Sequence, residues 1–402
     1  MMTETELNEH LRYFQKREEE LIRYRRDLHR IPEVGLEEHK TADYICSLLK
    51  EHKIDFTRKE TAVIALIRGD NEGPCLALRA DIDGLPIDEE TGLDFASQHR
   101  GMMHACGHDG HTAIALGAAI WLKKNSSLFN GTVKVLFQPA EETVGGAGIM
   151  VKDGALRNPS VERIFGLHLM PYMRPGQIEI KKGPLNGSST ELQISVRGKS
   201  GHGAYPESGI DAILMASHVL TGIQSLVSRR VSPLAQAVIS FGVIQGGKAN
   251  NIIAEEVTIK GTMRTTDNAL RDSLLEQLRI LVESTCSAHG GKGVLEFSYS
   301  YPALINDNEE TERIATLGEI MLGKENVLEK ELPSMGVEDF SYFLNETRGA
   351  FYHLGCGPDG GKGAALHSSC FDMDEKCLAY GAALQTALVL DALNNPDKGG
   401  SL

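Results

Sequence analysis

The sequence predicts an α/β protein interrupted by a smaller α+β domain, and three observations lead there. Helical and strand-like apolar patterns alternate as far as residue 169, a Gly/Ser-rich stretch at 184–189 ends that pattern, and α/β alternation returns from about 309. At 402 residues the chain is also longer than one compact domain usually runs, so two cores are expected.

Taken in order, apolar residues recur at helical spacing over 7–30 and 37–50, with Pro32 and Gly35 punctuating the gap, which predicts two surface helices. β-Branched or apolar runs at 62–67 and 75–80 predict strands. A helix from about 111 to 124 follows, then strands at 132–137 and 164–169, the last with His168 near its end. Past 184–189 the order is a strand at 191–197, a helix at 211–228, strands at 235–244 and 256–264, a helix at 268–289 and a strand at 294–300. That β-α-β-β-α-β order is the ferredoxin-like one, whose helices cover one face of a four-stranded antiparallel sheet and leave the other face for a partner. A helix at 309–322, a helical stretch near 338–344, a strand at 350–354 and a helix at 375–393 complete the chain. The smaller domain, 186–303, is therefore expected as an insertion between the segments 1–185 and 304–402 of the larger one.

A composition of 41% hydrophobic and 24% charged residues is that of a folded globular protein, which argues against extended disorder. The net charge of -14 repels nucleic acid and anionic lipid, and the only basic clusters are short pairs such as Arg25-Arg26 and Arg229-Arg230, so neither partner is expected. Seven scattered cysteines suit a reducing compartment. The first 30 residues are dense in Glu and Arg, and no apolar run approaches the ~20 residues of a membrane span, so a cytoplasmic protein is expected.

The densest chemistry lies in His104-Ala105-Cys106-Gly107-His108-Asp109-Gly110-His111, three imidazoles and a thiol just before a helix. These donors suit zinc and similar divalent ions, and the two glycines let the loop bend so that neighbouring side chains converge. A solvated His-rich loop or a structural zinc clip are the blander readings, although a structural site favours four closed N/S ligands and only one cysteine lies here. Phe137-Gln138-Pro139-Ala140-Glu141-Glu142 places adjacent carboxylates after a strand. Neighbours on an extended chain point opposite ways, so one can hold a metal while the other reaches the water it activates. An isolated acidic pair is ordinarily a solvated surface, and His168 and His367 are likewise unremarkable singly; their weight comes from the set. Asp81-Ile82-Asp83 adds two carboxylates that either orient a ligand imidazole or cap a turn before Pro86.

Together with Asp27-Leu28-His29-Arg30-Ile31-Pro32-Glu33, Leu78-Arg79-Ala80-Asp81-Ile82-Asp83 and Gly166-Leu167-His168, these runs resemble one family from about Arg26 to Leu390. It is the dinuclear metallo-amidohydrolases that include aminoacylases, hippurate hydrolases, indole-acetyl-amino acid hydrolases and N-acetyldiaminopimelate deacetylases. The resemblance implies a metallopeptidase-like α/β catalytic domain with an inserted ferredoxin-like α+β lid. It implies metal ligation by Cys106, His108, Glu142, His168 and His367, with Glu141 as general base and Asp83 as the supporting aspartate. The wider superfamily of aminopeptidases and carboxypeptidases has His-x-Asp where this chain has Asp81-Ile82-Asp83, and a bridging aspartate near Cys106. That departure argues against a general peptidase and leaves the bridging ligand open.

The implied activity is hydrolysis of the amide bond of a small-molecule N-acyl amino acid, with two divalent ions per subunit. The mixed ligands admit zinc or manganese first, and cobalt or nickel. In the inserted domain, His202 within Ser200-Gly201-His202-Gly203-Ala204 and Asn251 within Ala249-Asn250-Asn251-Ile252-Ile253 resemble substrate-contacting segments, with Arg264 a further candidate. For His202 the alternative is a solvated loop histidine. In relatives this domain carries the dimer contact, so a homodimer is implied. The rival enzyme is a dipeptidase or carboxypeptidase. The rival of another class is a non-catalytic metal-binding or thiol-sensing protein, which leaves Glu141 and Glu142 unexplained.

Overall fold

The computed structural model describes residues 3–358 and 362–395. Positions 1–2, 359–361 and 396–402 of the expected segments lie outside the described residues. Two compact units are formed, one from Met1–Gly183, Ile305–Glu331 and Tyr342–Leu402, the other from Pro184–Leu304 and Leu332–Ser341.

The first unit is built on an eight-stranded sheet in the order Asp55–Lys59, Ala62–Arg68, Thr132–Gln138, Cys75–Asp81, Val161–Met170, Arg348–Gly355, Ile178–Ile180, Val327–Glu329. Its centre is parallel: Cys75–Asp81 pairs with both Thr132–Gln138 and Val161–Met170, and the latter pairs with Arg348–Gly355. Parallel strands are covered on both faces, and Cys75–Asp81 is accordingly buried at every position. The same arrangement brings the C-terminal ends of these strands out at one edge. Residues 81–83, 138–142 and His168 all arrive there, where ligands of parallel sheets bind.

Helix His108–Lys124 is buried around its circumference as far as Leu122, and it begins at His108 rather than near 111. Its first turn carries imidazoles and a carboxylate, so apolar periodicity did not reveal it. The helix expected over 7–30 is two helices, Glu4–Gln15 and Glu18–His29. The buried positions Leu7, Leu11, Phe14, Leu21 and Leu28 keep helical spacing through the break, which has no Gly or Pro to mark it. The available signal was Glu18, Glu19 and Glu20, three carboxylates facing the positive end of a new helix. Helix Cys377–Asn394 is long and apolar enough to cross a membrane, yet 89% of it is buried, and it packs on Glu4–Gln15 and His108–Lys124 as core.

The second unit has the ferredoxin-like arrangement: an antiparallel sheet in the order Ala237–Gly246, Glu256–Thr265, Ser188–Arg197, Lys292–Tyr299. Helices Ala212–Arg230 and Asn268–Ala288 share a core with Leu192, Ile194, Val196, Val257 and Ile259, the alternate residues of two paired strands. Each helix starts on an aspartate: Asp211 accepts from the Ile213 and Leu214 amides, and Asp267 from the Leu270 amide. Such caps are each worth about 1 kcal/mol.

Candidate metal centre

Residues from four distant parts of the first unit converge at the strand ends. Donor atoms of Cys106, His108 and His168 lie within 4.8 Å of one another, as do those of Cys106, Glu142 and His367, and those of His108, Glu141 and Glu142. Cys106 Sγ is 3.4 Å from His168 Nε2, and His367 Nε2 is 3.0 Å from Glu142 Oε1 in an ion contact. Cys106 thus belongs to two of the trios, and Glu142 to two.

Hydrogen bonds decide which imidazole nitrogens are free. His168 Nδ1 donates to the Leu169 carbonyl at 2.8 Å, which leaves the Nε2 lone pair facing Cys106. His108 Nδ1 donates to the Asp83 carbonyl at 2.9 Å and to Asp83 Oδ1 at 3.2 Å. Its Nε2 is buried with no hydrogen-bond partner among the described residues. His111 differs, since Nδ1 bonds Asp81 Oδ1 at 2.6 Å while Nε2 accepts the Leu169 amide at 2.9 Å. Both its nitrogens are committed to holding strand ends together. His104 is buried with its ring 6.3 Å from that of His29, and burial pushes it down to about 4. Of the three imidazoles in that eight-residue run, His108 alone joins the convergent trios that include Cys106 or the Glu141-Glu142 pair.

The field at the cluster favours positive charge. Burial lowers His108, but Asp81, Asp83 and Glu142 outweigh it and raise the group to about 10. Burial, then Glu142 and Glu141, push the Cys106 thiol well up, so a cation is what would hold it as thiolate. Glu142 remains a carboxylate: burial opposes this, but His367 and His108 hold it below the usual range. A buried imidazole nitrogen of His108 that has no hydrogen-bond partner among the described residues and lies 3.6 Å from Asp81 Oδ2, mixed S, N and O donors and a net negative field together fit divalent ions such as those bound by zinc-type sites.

Supporting groups surround the cluster, and Asp81 and Asp83 orient imidazoles as one of the two readings of their sequence run expects. Asp83 both accepts from His108 and takes the Glu142 amide on Oδ2 at 3.0 Å, so it ties the two ligand-bearing loops together. Asp81 is gripped by Arg79 at 2.7 Å as well as by His111. Burial resists its ionisation, but Arg79, His108 and His111 hold it well below the carboxylate range. Asp109, next to His108, accepts from Arg25 Nε at 2.8 Å and from His29 Nδ1 at 2.7 Å, all three side chains being fully buried. Arg25 and His29 lie four residues apart on one helix face, which lets both reach Asp109.

The three remaining predicted residues belong to the second unit. His202 lies on a short strand paired with Ile252–Ile253, is exposed, and its Nδ1 accepts the Ala204 amide at 3.0 Å. The Gly203 amide donates to the Asn251 carbonyl at 2.8 Å, which brings the His202 and Asn251 segments together. Arg264 is on the separate four-stranded sheet, half-buried, with its guanidinium on the Met263 carbonyl and the Thr262 hydroxyl.

Known proteins share this architecture. N-acetyl-L-cysteine deacetylase of Bacillus subtilis (strain 168) is 39% identical over 363 residues, 90% of this chain and 85% of that protein. Thermostable carboxypeptidase 1 of Saccharolobus solfataricus is 34% identical over 385 residues, 94% of this chain and 96% of that protein. The crystal structure of a dinuclear metal-binding peptidase of family M20 from Bacillus subtilis superposes with a TM-score of 0.82 at 32% identity, over 95% of this chain and 99% of that one. The model of peptidase family M20/M25/M40 matches residues 77–391. A match over that span, with relatives of that identity along nine-tenths of the sequence, means that the chain belongs to peptidase family M20/M25/M40.

Proposed function

We propose that the protein hydrolyses the amide bond of N-acyl amino acids. The observation that carries this reading is the convergence of Cys106, His108, Glu142, His168 and His367 with Glu141 beside them. Two divalent ions, zinc or manganese first and cobalt or nickel as alternatives, would be held by those five residues. Cys106, His108 and Glu142 each belong to two of those trios, so each lies within reach of more than one group of donors. When bound, such ions supply Lewis acidity at the scissile carbonyl and lower the pKa of water towards neutrality.

The chain's own groups do the rest. Glu141 takes a proton from the attacking water and delivers it to the leaving amine. Asp83 fixes the His108 tautomer and the position of Glu142 through the bonds described above. His202, Asn251 and Arg264 are assigned to substrate contact, and 186–303 to a lid and dimer-forming insertion between catalytic segments 1–185 and 304–402. A cytoplasmic homodimer is the corresponding assembly.

A panel of acetyl, benzoyl and indole-acetyl amino acids with matched dipeptides, run on chelated protein with each metal added back, tests this reading. Chelation should abolish hydrolysis and leave cooperative unfolding intact, because the first unit's hydrophobic core is built without the ligands. The carboxypeptidase relative supports a second reading, which a preference for dipeptides would establish. Metal-loaded protein inactive on the whole panel would leave only a binding role.

A cobalt-loaded sample gives an independent readout of the ligand set. It should show a thiolate-to-cobalt charge-transfer band in the near ultraviolet that Cys106→Ser lacks. An unchanged band in the variant would remove Cys106 from the ligands.

A further inference from the structure

We propose that Glu38 is a positioning residue whose buried carboxylate holds the Ala140 amide and so sets the turn that aims Glu141 and Glu142. The proposal rests on the roles given to that pair above. Glu38 lies immediately before helix His39–Glu51, where a side chain ordinarily caps the helix, yet it makes no capping bond. That task is done by Glu33, whose Oε2 accepts the Lys40 amide at 2.9 Å and the Thr41 amide at 3.0 Å. Glu38 instead turns inward, is fully buried, and accepts the Ala140 amide on Oε1 at 2.8 Å. A fully buried carboxyl with no part in its own helix calls for another explanation.

Ala140 supplies one. Its φ of 59° is left-handed, a conformation that a residue with a Cβ adopts only when its surroundings hold it there. The holding bonds are visible on both sides of the residue. Its amide donates to Glu38, and its carbonyl accepts the Gly145 and Gly146 amides, each at 3.1 Å. The turn is also pressed from outside. A Cβ on Gly35 would come within 2.9 Å of Ala140 Cα, and one on Gly146 within 1.8 Å of the Pro139 carbonyl oxygen. Strand Thr132–Gln138 ends two residues earlier, so the backbone direction at Ala140 decides where the next two carboxylates point. Burial pushes Glu38 up to about 7, and it accepts the amide through one oxygen in either protonation state.

The test compares Glu38→Gln, which keeps an acceptor oxygen, with Glu38→Met, which keeps the volume and loses the acceptor. Leu49→Ala, a buried truncation in the helix that follows, supplies stability loss without touching the Ala140 amide. Glu38→Met should lower kcat at least about tenfold with KM changed by less than about threefold, as expected of a misaimed base. Glu38→Gln should restore kcat to within about threefold of wild type. Hydrogen exchange at the Ala140 amide should be on the order of tenfold faster in Glu38→Met alone. Unchanged exchange and kcat in Glu38→Met overturn the proposal, and so does an equal fall in kcat for Leu49→Ala at matched stability. A wild-type protein inactive on every acyl amino acid would instead remove the hydrolase reading, while the exchange rate still decides whether Glu38 holds the turn.

Discussion

Glu141→Gln is expected to lower kcat by about a hundredfold or more while metal content stays at the wild-type level. The glutamine keeps the shape of the side chain and removes its capacity to accept a proton. The opposite pattern is expected of Glu142→Gln. Glu142 faces His367 at 3.0 Å and shares one trio with Cys106, so a neutral amide there weakens an anionic ligand position. At least one ion should be lost, and activity should partly recover when excess metal is supplied. Metal analysis and steady-state kinetics on both variants separate the roles. If Glu141→Gln loses metal and Glu142→Gln keeps it, the assignments are reversed; if neither alters activity, the hydrolase reading fails.

The different roles proposed for these adjacent carboxylates depend on the turn at Ala140, whose φ is 59°, and this is where the sequence stops being informative. The candidate ligand types were legible because thiol, imidazole and carboxylate are scarce together, and because buried parallel strands such as Cys75–Asp81 read as largely apolar runs. Of the partners that hold those candidate ligands in place, Asp81 and Asp83 were legible and the more distant ones were not. Arg25 and Asp109 are 84 positions apart, Glu38 and Ala140 are 102 apart, and nothing local in either segment marks the pairing. His111 stood in the same donor-rich run without an assigned role: its residue type was visible, whereas its bonds to Asp81 and the Leu169 amide depend on where two strand ends meet. The edge strand Asp55–Lys59 escaped notice because it is largely exposed and polar, so it lacks the alternation that marks a half-buried strand. Residue type pointed to the candidate donors, and long-range geometry brought them together.

The Arg25–Asp109 pair leads to the largest expected effect on stability. Arg25→Met should destabilise the protein by about 3–5 kcal/mol, because it removes the partner of a buried carboxylate and leaves that charge poorly compensated. Both side chains are fully buried, and Arg25 also lies 3.2 Å from both Asp372 and Glu375, so three carboxylates lose one guanidinium. His29 remains as a partner of Asp109 at 2.7 Å, and it sets the lower end of the expected range. The pH dependence has a definite sign. Burial alone would raise Asp109, but Arg25 and then His29 hold it far below the carboxylate range. A depressed carboxyl contributes stability that is present above its unfolded value of about 3.9 and is lost only as pH falls through its folded value. Removing Arg25 raises that folded value, so acid unfolding of the variant should begin at higher pH than in wild type. Urea unfolding at neutral pH and an acid titration followed by circular dichroism measure the two effects. Adding Asp109→Asn to Arg25→Met should recover part of the loss, since the charge left without its partner is gone. An Arg25→Met protein as stable as wild type at neutral and acidic pH would show that His29 alone neutralises Asp109, and the helix start bearing His108 would then owe its position to that histidine.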